Sequence, residues 1–171
     1  MTEPKAETSG DGDPFRILFV CTGNTCRSPM AAVLTRSSLE QRGWKEVEVS
    51  SAGVGAFPGM PPSEGAVRAL ERRGLTLEGH ASRPLLHGHV EEADVVLAMS
   101  RRHLEVIQEL GGEAKGALIT AFARGREGME AELPGVSDPV GGDDEVYERV
   151  CSELEDLVEE VLSRLEPVIS P

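Results

Sequence analysis

Phe15-Arg16-Ile17-Leu18-Phe19-Val20 runs straight into Cys21-Thr22-Gly23-Asn24-Thr25-Cys26-Arg27-Ser28 and then Pro29. Few local structures accommodate that order. A short apolar run that stops at a glycine-containing loop reads as a buried strand. Pro fits the first position of a helix, and Ser28 before it fits a cap. Seven residues, Cys21 to Arg27, therefore join the carboxyl end of a buried strand to the start of a helix.

The same alternation continues along the chain. Residues 47–52, 94–99 and 117–122 read as further strands. Helices are expected from Ser28 to about Gln41, ended by Gly43, and over about 63–73, capped by Ser63 and ended by Gly74. Another runs from a Ser100 cap to near Gly111, and Asp143 or Asp144 opens a long last one. In that helix Val146, Val150, Leu154, Leu157, Val158, Val161, Leu162 and Leu165 recur at helical spacing. Residues 80–86 and the Gly/Pro-rich stretch 123–142 read as irregular. Alternating strands and helices predict an α/β fold, a parallel sheet covered on both faces with right-handed crossovers. A chain of 171 residues suits one such domain, placed at 14–167. Residues 1–13 are polar and glycine-rich and read as a disordered tail. Ligands of such sheets bind beyond the carboxyl ends of the strands, where the Cys21 loop lies.

The loop has the parts of an anion cradle. Gly23 permits a tight path or positive φ, and Asn24 tolerates the left-handed region. Successive N–H groups in such a turn can converge on an anion, helped by the positive end of the helix that follows. Arg27 adds a planar, permanently charged fork that matches phosphate oxygens. Cys21 sits at the floor of the cradle, where a helix N-terminus and a cation favour thiolate, and Ser28 Oγ can donate to its sulfur. A thiolate beneath a bound phosphate is set for in-line attack on phosphorus.

Val20-Cys21-Thr22-Gly23-Asn24-Thr25-Cys26-Arg27-Ser28-Pro29 resembles the signature of the low-molecular-weight protein tyrosine phosphatase family. Ser50-Ser51-Ala52-Gly53, His80-Ala81-Ser82-Arg83, the stretch 93–99 and Asp138-Pro139 follow in the family's order, so the resemblance covers roughly 15–165. It implies a four-stranded parallel sheet within three α/β/α layers and a phosphate-binding loop between strand 1 and helix 1. It also implies a two-step reaction through a cysteinyl-phosphate, with no metal and no cofactor. Cys21 would be the nucleophile, Arg27 the phosphate clamp, and Asp138 the general acid and then the base. Thr22, Gly23, Asn24, Thr25, Cys26 and Ser28 would surround the phosphate, Asn24 holding the loop's shape and Ser28 assisting the thiolate. An acid brought beside an anion holds its proton more tightly, which suits the role of Asp138.

Two departures bear on the substrate. Tyrosine-directed members usually carry aromatic residues directly after Asp-Pro, whereas here Val140-Gly141-Gly142 follow. The Thr25-Cys26-Arg27-Ser28 form of the loop, with Asp-Pro-x-Gly-Gly, resembles the bacterial protein-arginine phosphatases. A small hydroxyl at Thr25 leaves room for a guanidinium-phosphate and can hydrogen-bond to it. Phosphoarginine in proteins is therefore the expected substrate, with phosphotyrosine the alternative and a non-catalytic phosphate-binding module a third reading.

Net charge is −13, from 30 acidic and 17 basic residues. That opposes nucleic-acid or anionic-membrane partners and suits a cationic protein substrate. Anion binding must then come from backbone amides and Arg27 rather than from the global field. No run approaches the roughly 20 apolar residues of a membrane helix, and no signal-peptide pattern opens the chain, so a cytoplasmic monomer is expected. Three cysteines make no disulfide framework. Cys21 and Cys26 suggest a reversible redox pair, and Cys151 a core residue. His87-Gly88-His89 lacks a third ligand at sensible spacing for a metal, and His80 reads as a structural hydrogen-bonding residue. The shuttle cysteines an arsenate reductase needs are missing between Cys26 and Cys151.

Overall fold

Phe15 to Cys21 form β1 in the computed structural model, which describes residues 12–169. β1 pairs in parallel with β2 (Val47–Gly53) on one side, from Phe15↔Val47 to Cys21↔Gly53. On the other side it pairs with β3 (Val95–Ala98), from Ile17↔Val95 to Val20↔Ala98, and β3 pairs with β4 (Gly116–Leu118). The sheet order is β2-β1-β3-β4, all parallel. Neighbours thus diverge to either side of β1, and the mouth of the sheet lies where its carboxyl end meets those of β2 and β3.

The period of two along each strand divides the core into two layers. Ile17, Phe19, Val95 and Leu97 face α1 (Arg27–Arg42) and α6 (Asp144–Ile169). Leu18, Val20, Val96 and Ala98 face α3 (His87–Glu92) and α4 (Arg101–Glu109). Gly43 ends α1 in the left-handed region at φ 72°, as its place after the last apolar residue predicts. Asp143 Oδ1 accepts the Val146 N–H at 3.1 Å and opens α6. α2 (Glu64–Glu71) lies against α6, where Arg68, Arg72 and Arg73 face Asp144, Glu148 and Glu155.

Several local expectations are corrected. Residues 117–122 do not form one strand: β4 ends at Leu118, and Ile119–Ala123 turn into a short helix, α5. Thr120 spends its hydroxyl on the Pro134 carbonyl there, and α5 packs on α6. α3, unforeseen, is one and a half turns long, too short for periodicity to reveal. The stretch 123–142 is irregular save for one 3₁₀ turn at Glu130–Glu132. Tyr147 rather than Val146 joins the buried stripe of α6. Of the expected tail, residues 1–11 lie outside the described residues, and Gly12 and Asp13 are exposed. No described helix is long and apolar enough to cross a membrane.

Candidate active site

The chain leaves β1 at Cys21 and takes one left-handed step before α1. Asn24 makes it, at φ 56°, the sole described non-glycine residue with positive φ. Gly23 does not, although its lack of a Cβ made it a candidate for that step. An asparagine adopts this conformation when its side chain is tied down locally. Asn24 Nδ2 donates to Ser28 Oγ at 2.8 Å and to Ser51 Oγ at 2.9 Å, and Oδ1 accepts the Arg83 N–H at 3.0 Å. Its carbonyl lies 2.7 Å from His80 Nε2, which gives that histidine the structural role expected of it. The Ser51 and His80 side chains and the Arg83 backbone N–H thus hold the loop in shape.

Cys21 is buried, with Sγ 2.9 Å from Ser28 Oγ. Ser28 therefore faces the sulfur instead of capping α1, whose N-cap position falls on Cys26 without a side-chain bond. Among the described residues, no acceptor is set against the N–H groups of residues 22–26. Arg27 is also buried. Its Nη1 donates to the Val136 carbonyl at 3.1 Å, its Nη2 lies 3.5 Å from Asp138 Oδ2, and its Nε has no partner among the described residues. Asp138 is brought to the loop mouth by the segment after Val136 and is 51% exposed. The Val140 N–H donates to its Oδ1 at 3.1 Å, and Cys26 Sγ approaches the same oxygen at 4.0 Å. Unmatched N–H groups on a partly buried loop that ends in a buried guanidinium can make a site for an oxyanion.

Arg27 and Asp138 stand 3.5 Å apart, and Cys21 opens the loop that runs into Arg27. Thr25 is clamped from α2's side: the Ser63 N–H donates to its carbonyl at 2.8 Å, and Ser63 Oγ meets Thr25 Oγ1 at 3.3 Å. Ser63 therefore serves the loop rather than capping α2 by its side chain. Cys26 is a buried free thiol. Burial, then the neighbouring Cys21, pushes its pKa up to about 11. Cys151 is buried in the α6 core as expected. His87 stands near Glu91, and His89 bonds the Leu86 N–H and Arg83.

His103 is the residue that sequence reasoning passed over. It lies on the inner face of α4, buried, with Nε2 2.8 Å from Thr22 Oγ1 and Nδ1 without a partner among the described residues. Burial, then the charges of Arg27 and Arg102, lowers its pKa to about 4. A neutral ring thus buttresses the loop from below. Nothing in the sequence near position 103 signals this, apart from the helix start at Ser100.

Comparison with known proteins agrees with the geometry. The family model described as low molecular weight phosphotyrosine protein phosphatase matches residues 16–168. A protein-arginine-phosphatase of Geobacillus stearothermophilus is 42% identical over 155 residues, 90% of this chain and 97% of that protein. The low molecular weight protein-tyrosine-phosphatase Wzb of Escherichia coli (strain K12) is 34% identical, over 81% of this chain and 87% of Wzb. Among solved structures, the YwlE arginine phosphatase from Geobacillus stearothermophilus superposes with a TM-score of 0.78 at 39% identity, covering 91% of this chain and 95% of that one.

Proposed function

Because the chain belongs to the low molecular weight phosphotyrosine protein phosphatase family and is a phosphoprotein phosphatase, we propose that it removes phosphate from phosphoarginine in proteins, using Cys21, Arg27 and Asp138. The observation that carries this reading is the Cys21 sulfur 2.9 Å from Ser28 Oγ, on a loop whose residue 22–26 N–H groups lack acceptors among the described residues. These amides and Arg27 bind the phosphoryl oxygens and offset their charge as it shifts in the transition state. The Cys21 thiolate attacks phosphorus in line. The S–P bond forms, the P–N bond breaks, and Asp138 gives its proton to the departing guanidine nitrogen. Asp138, now a carboxylate, takes a proton from the water that attacks phosphorus. The S–P bond then breaks, inorganic phosphate leaves and the thiolate returns. Ser28 donates to the sulfur, Asn24 keeps the loop's left-handed step, and neutral His103 supports Thr22.

Arginine specificity draws on two features. A hydroxyl carries two acceptor lone pairs, so with Ser63 donating to Thr25 Oγ1, one remains for a substrate guanidinium N–H. Val140-Gly141-Gly142 beside Asp138 offer no aromatic wall for a phenyl ring. The 42% identical relative is named for arginine and the 34% identical one for tyrosine. On this reading the enzyme acts as a cytoplasmic monomer, without metal or cofactor. Its charge of −13 keeps it from nucleic acid and anionic membranes.

Asp138→Asn tests the assignment. Turnover is expected to fall by about 10²–10⁴-fold, the usual share of a general acid–base, and any phosphate trapped on the enzyme by acid quench during turnover is expected on Cys21, visible by mass spectrometry. Unchanged turnover, or phosphate carried by another residue, would contradict it.

A further inference from the structure

Behind the Cys21 loop, on the far side of Asn24 and Ser51, a cavity of about 330 Å³ opens between α1, the outer edge of β2 and residues 76–83. β2 is an edge strand, so alternate carbonyls along it point away from the sheet. Two successive ones are covered by arginines. Arg36 Nη2 donates to the Val49 carbonyl at 2.7 Å, and Arg83 Nε donates to the Ser51 carbonyl at 2.9 Å. Positions two apart on a strand are about 6.6 Å apart, so two guanidiniums stand side by side along the cavity wall.

Their charges are poorly matched. Among the described residues, no carboxylate lies within ion-pair distance of Arg36 or Arg83, whereas Arg42, Arg68, Arg72 and Arg73 each meet one within 3.2 Å. Partial desolvation lowers the proton affinity of both, which Glu92 offsets in part at Arg83; Arg83 is half-buried and Arg36 is exposed at the cavity rim. Glu78 is the one carboxylate in the cavity lining, and it is exposed. Each guanidinium keeps N–H groups beyond those spent on β2. In a chain of net charge −13, a pair of adjacent unpaired arginines on one concave wall is set for an anion.

We propose that this cavity is a second anion site, distinct from the Cys21 loop, that takes a small molecule bearing two acidic groups and spans Arg36 and Arg83. A single phosphate reaches one fork well. Two linked acidic groups reach both forks, and the cavity has room for them. The site abuts the catalytic loop: Ser51 and His80 line the cavity and both bond Asn24.

Inorganic pyrophosphate is the probe, titrated into the whole protein while amide shifts are followed by NMR. The amides of residues 22–26 report the catalytic loop, and those of Thr76, Leu77 and Gly79 report the cavity. The cavity amides are expected to shift saturably, and sodium chloride at equal ionic strength is expected not to reproduce the shift. Arg36→Gln should weaken the cavity titration about tenfold and leave the loop titration in place, since charge-assisted bonds are the strong ones. Arg83→Lys, which keeps the charge but removes the fork, should weaken it as well. Cavity amides that stay still, that respond equally to salt, or that titrate in both variants as they do in the parent would overturn the proposal.

Discussion

Asn24 uses its whole side-chain amide and its carbonyl to hold one left-handed step, and it bonds the Ser28 hydroxyl that faces the Cys21 sulfur. Cys21, Arg27 and Ser28 lie on one short segment and stood out in the sequence because strand, loop and helix start follow one another without a gap. Their supports were less so, because Arg83 and His103 reach the loop from 59 and 81 positions away. The buried His103 has a testable consequence. Its pKa is about 4 folded and about 6.5 unfolded. Below pH 6.5 the unfolded chain takes up a proton that the folded chain refuses until about pH 4. Stability from the neutral ring is thus complete above pH 6.5 and is lost as pH falls toward 4, by about 3 kcal/mol in all. Urea unfolding from pH 7 to 4 should show a flatter acid slope for His103→Asn than for the parent. Identical slopes would mean that the ring is charged in the fold.

Strands and helices were legible where the signal was strong: the apolar run of β1, the Ser-Pro start and Gly43 end of α1, and the helical stripe of α6. The stretch 117–122 was misread because a short apolar run fits a buried strand and a buried helix equally well. Only the pairing of β4 with β3 and the packing of α5 on α6 divide it at Leu118. The α2–α6 contact makes a prediction whose sign opposes propensity. Gly65 lies within α2, where Ala would ordinarily gain about 1 kcal/mol. A Cβ there would fall 2.3–2.5 Å from the ring of buried Tyr147. Overpacking costs about 1–3 kcal/mol, so it should exceed the helical gain. Gly65→Ala should therefore lower Tm by several degrees in a thermal melt. A rise would show that α2 and α6 can part freely.

Across the whole molecule, an acidic body carries an anion site. The two are compatible if, as proposed, loop amides and one buried arginine do the binding locally, while the outer field acts on whatever approaches. A basic phosphoarginine protein should lose kcat/KM severalfold between about 50 and 300 mM salt as screening shortens the field's reach. A small aryl phosphate assayed alongside should change little, and equal salt dependence for both would remove the field from the account. Substrate choice was the part least legible in the sequence, because it turns on what Thr25 and the Val140 segment leave open beside the phosphate. The decisive measurement is kcat/KM on matched peptides that differ only in carrying phosphoarginine or phosphotyrosine. Phosphoarginine is expected to be favoured by about tenfold or more, with Thr25→Ile shifting preference toward the aryl phosphate. A strong preference for phosphotyrosine in the parent enzyme would contradict it.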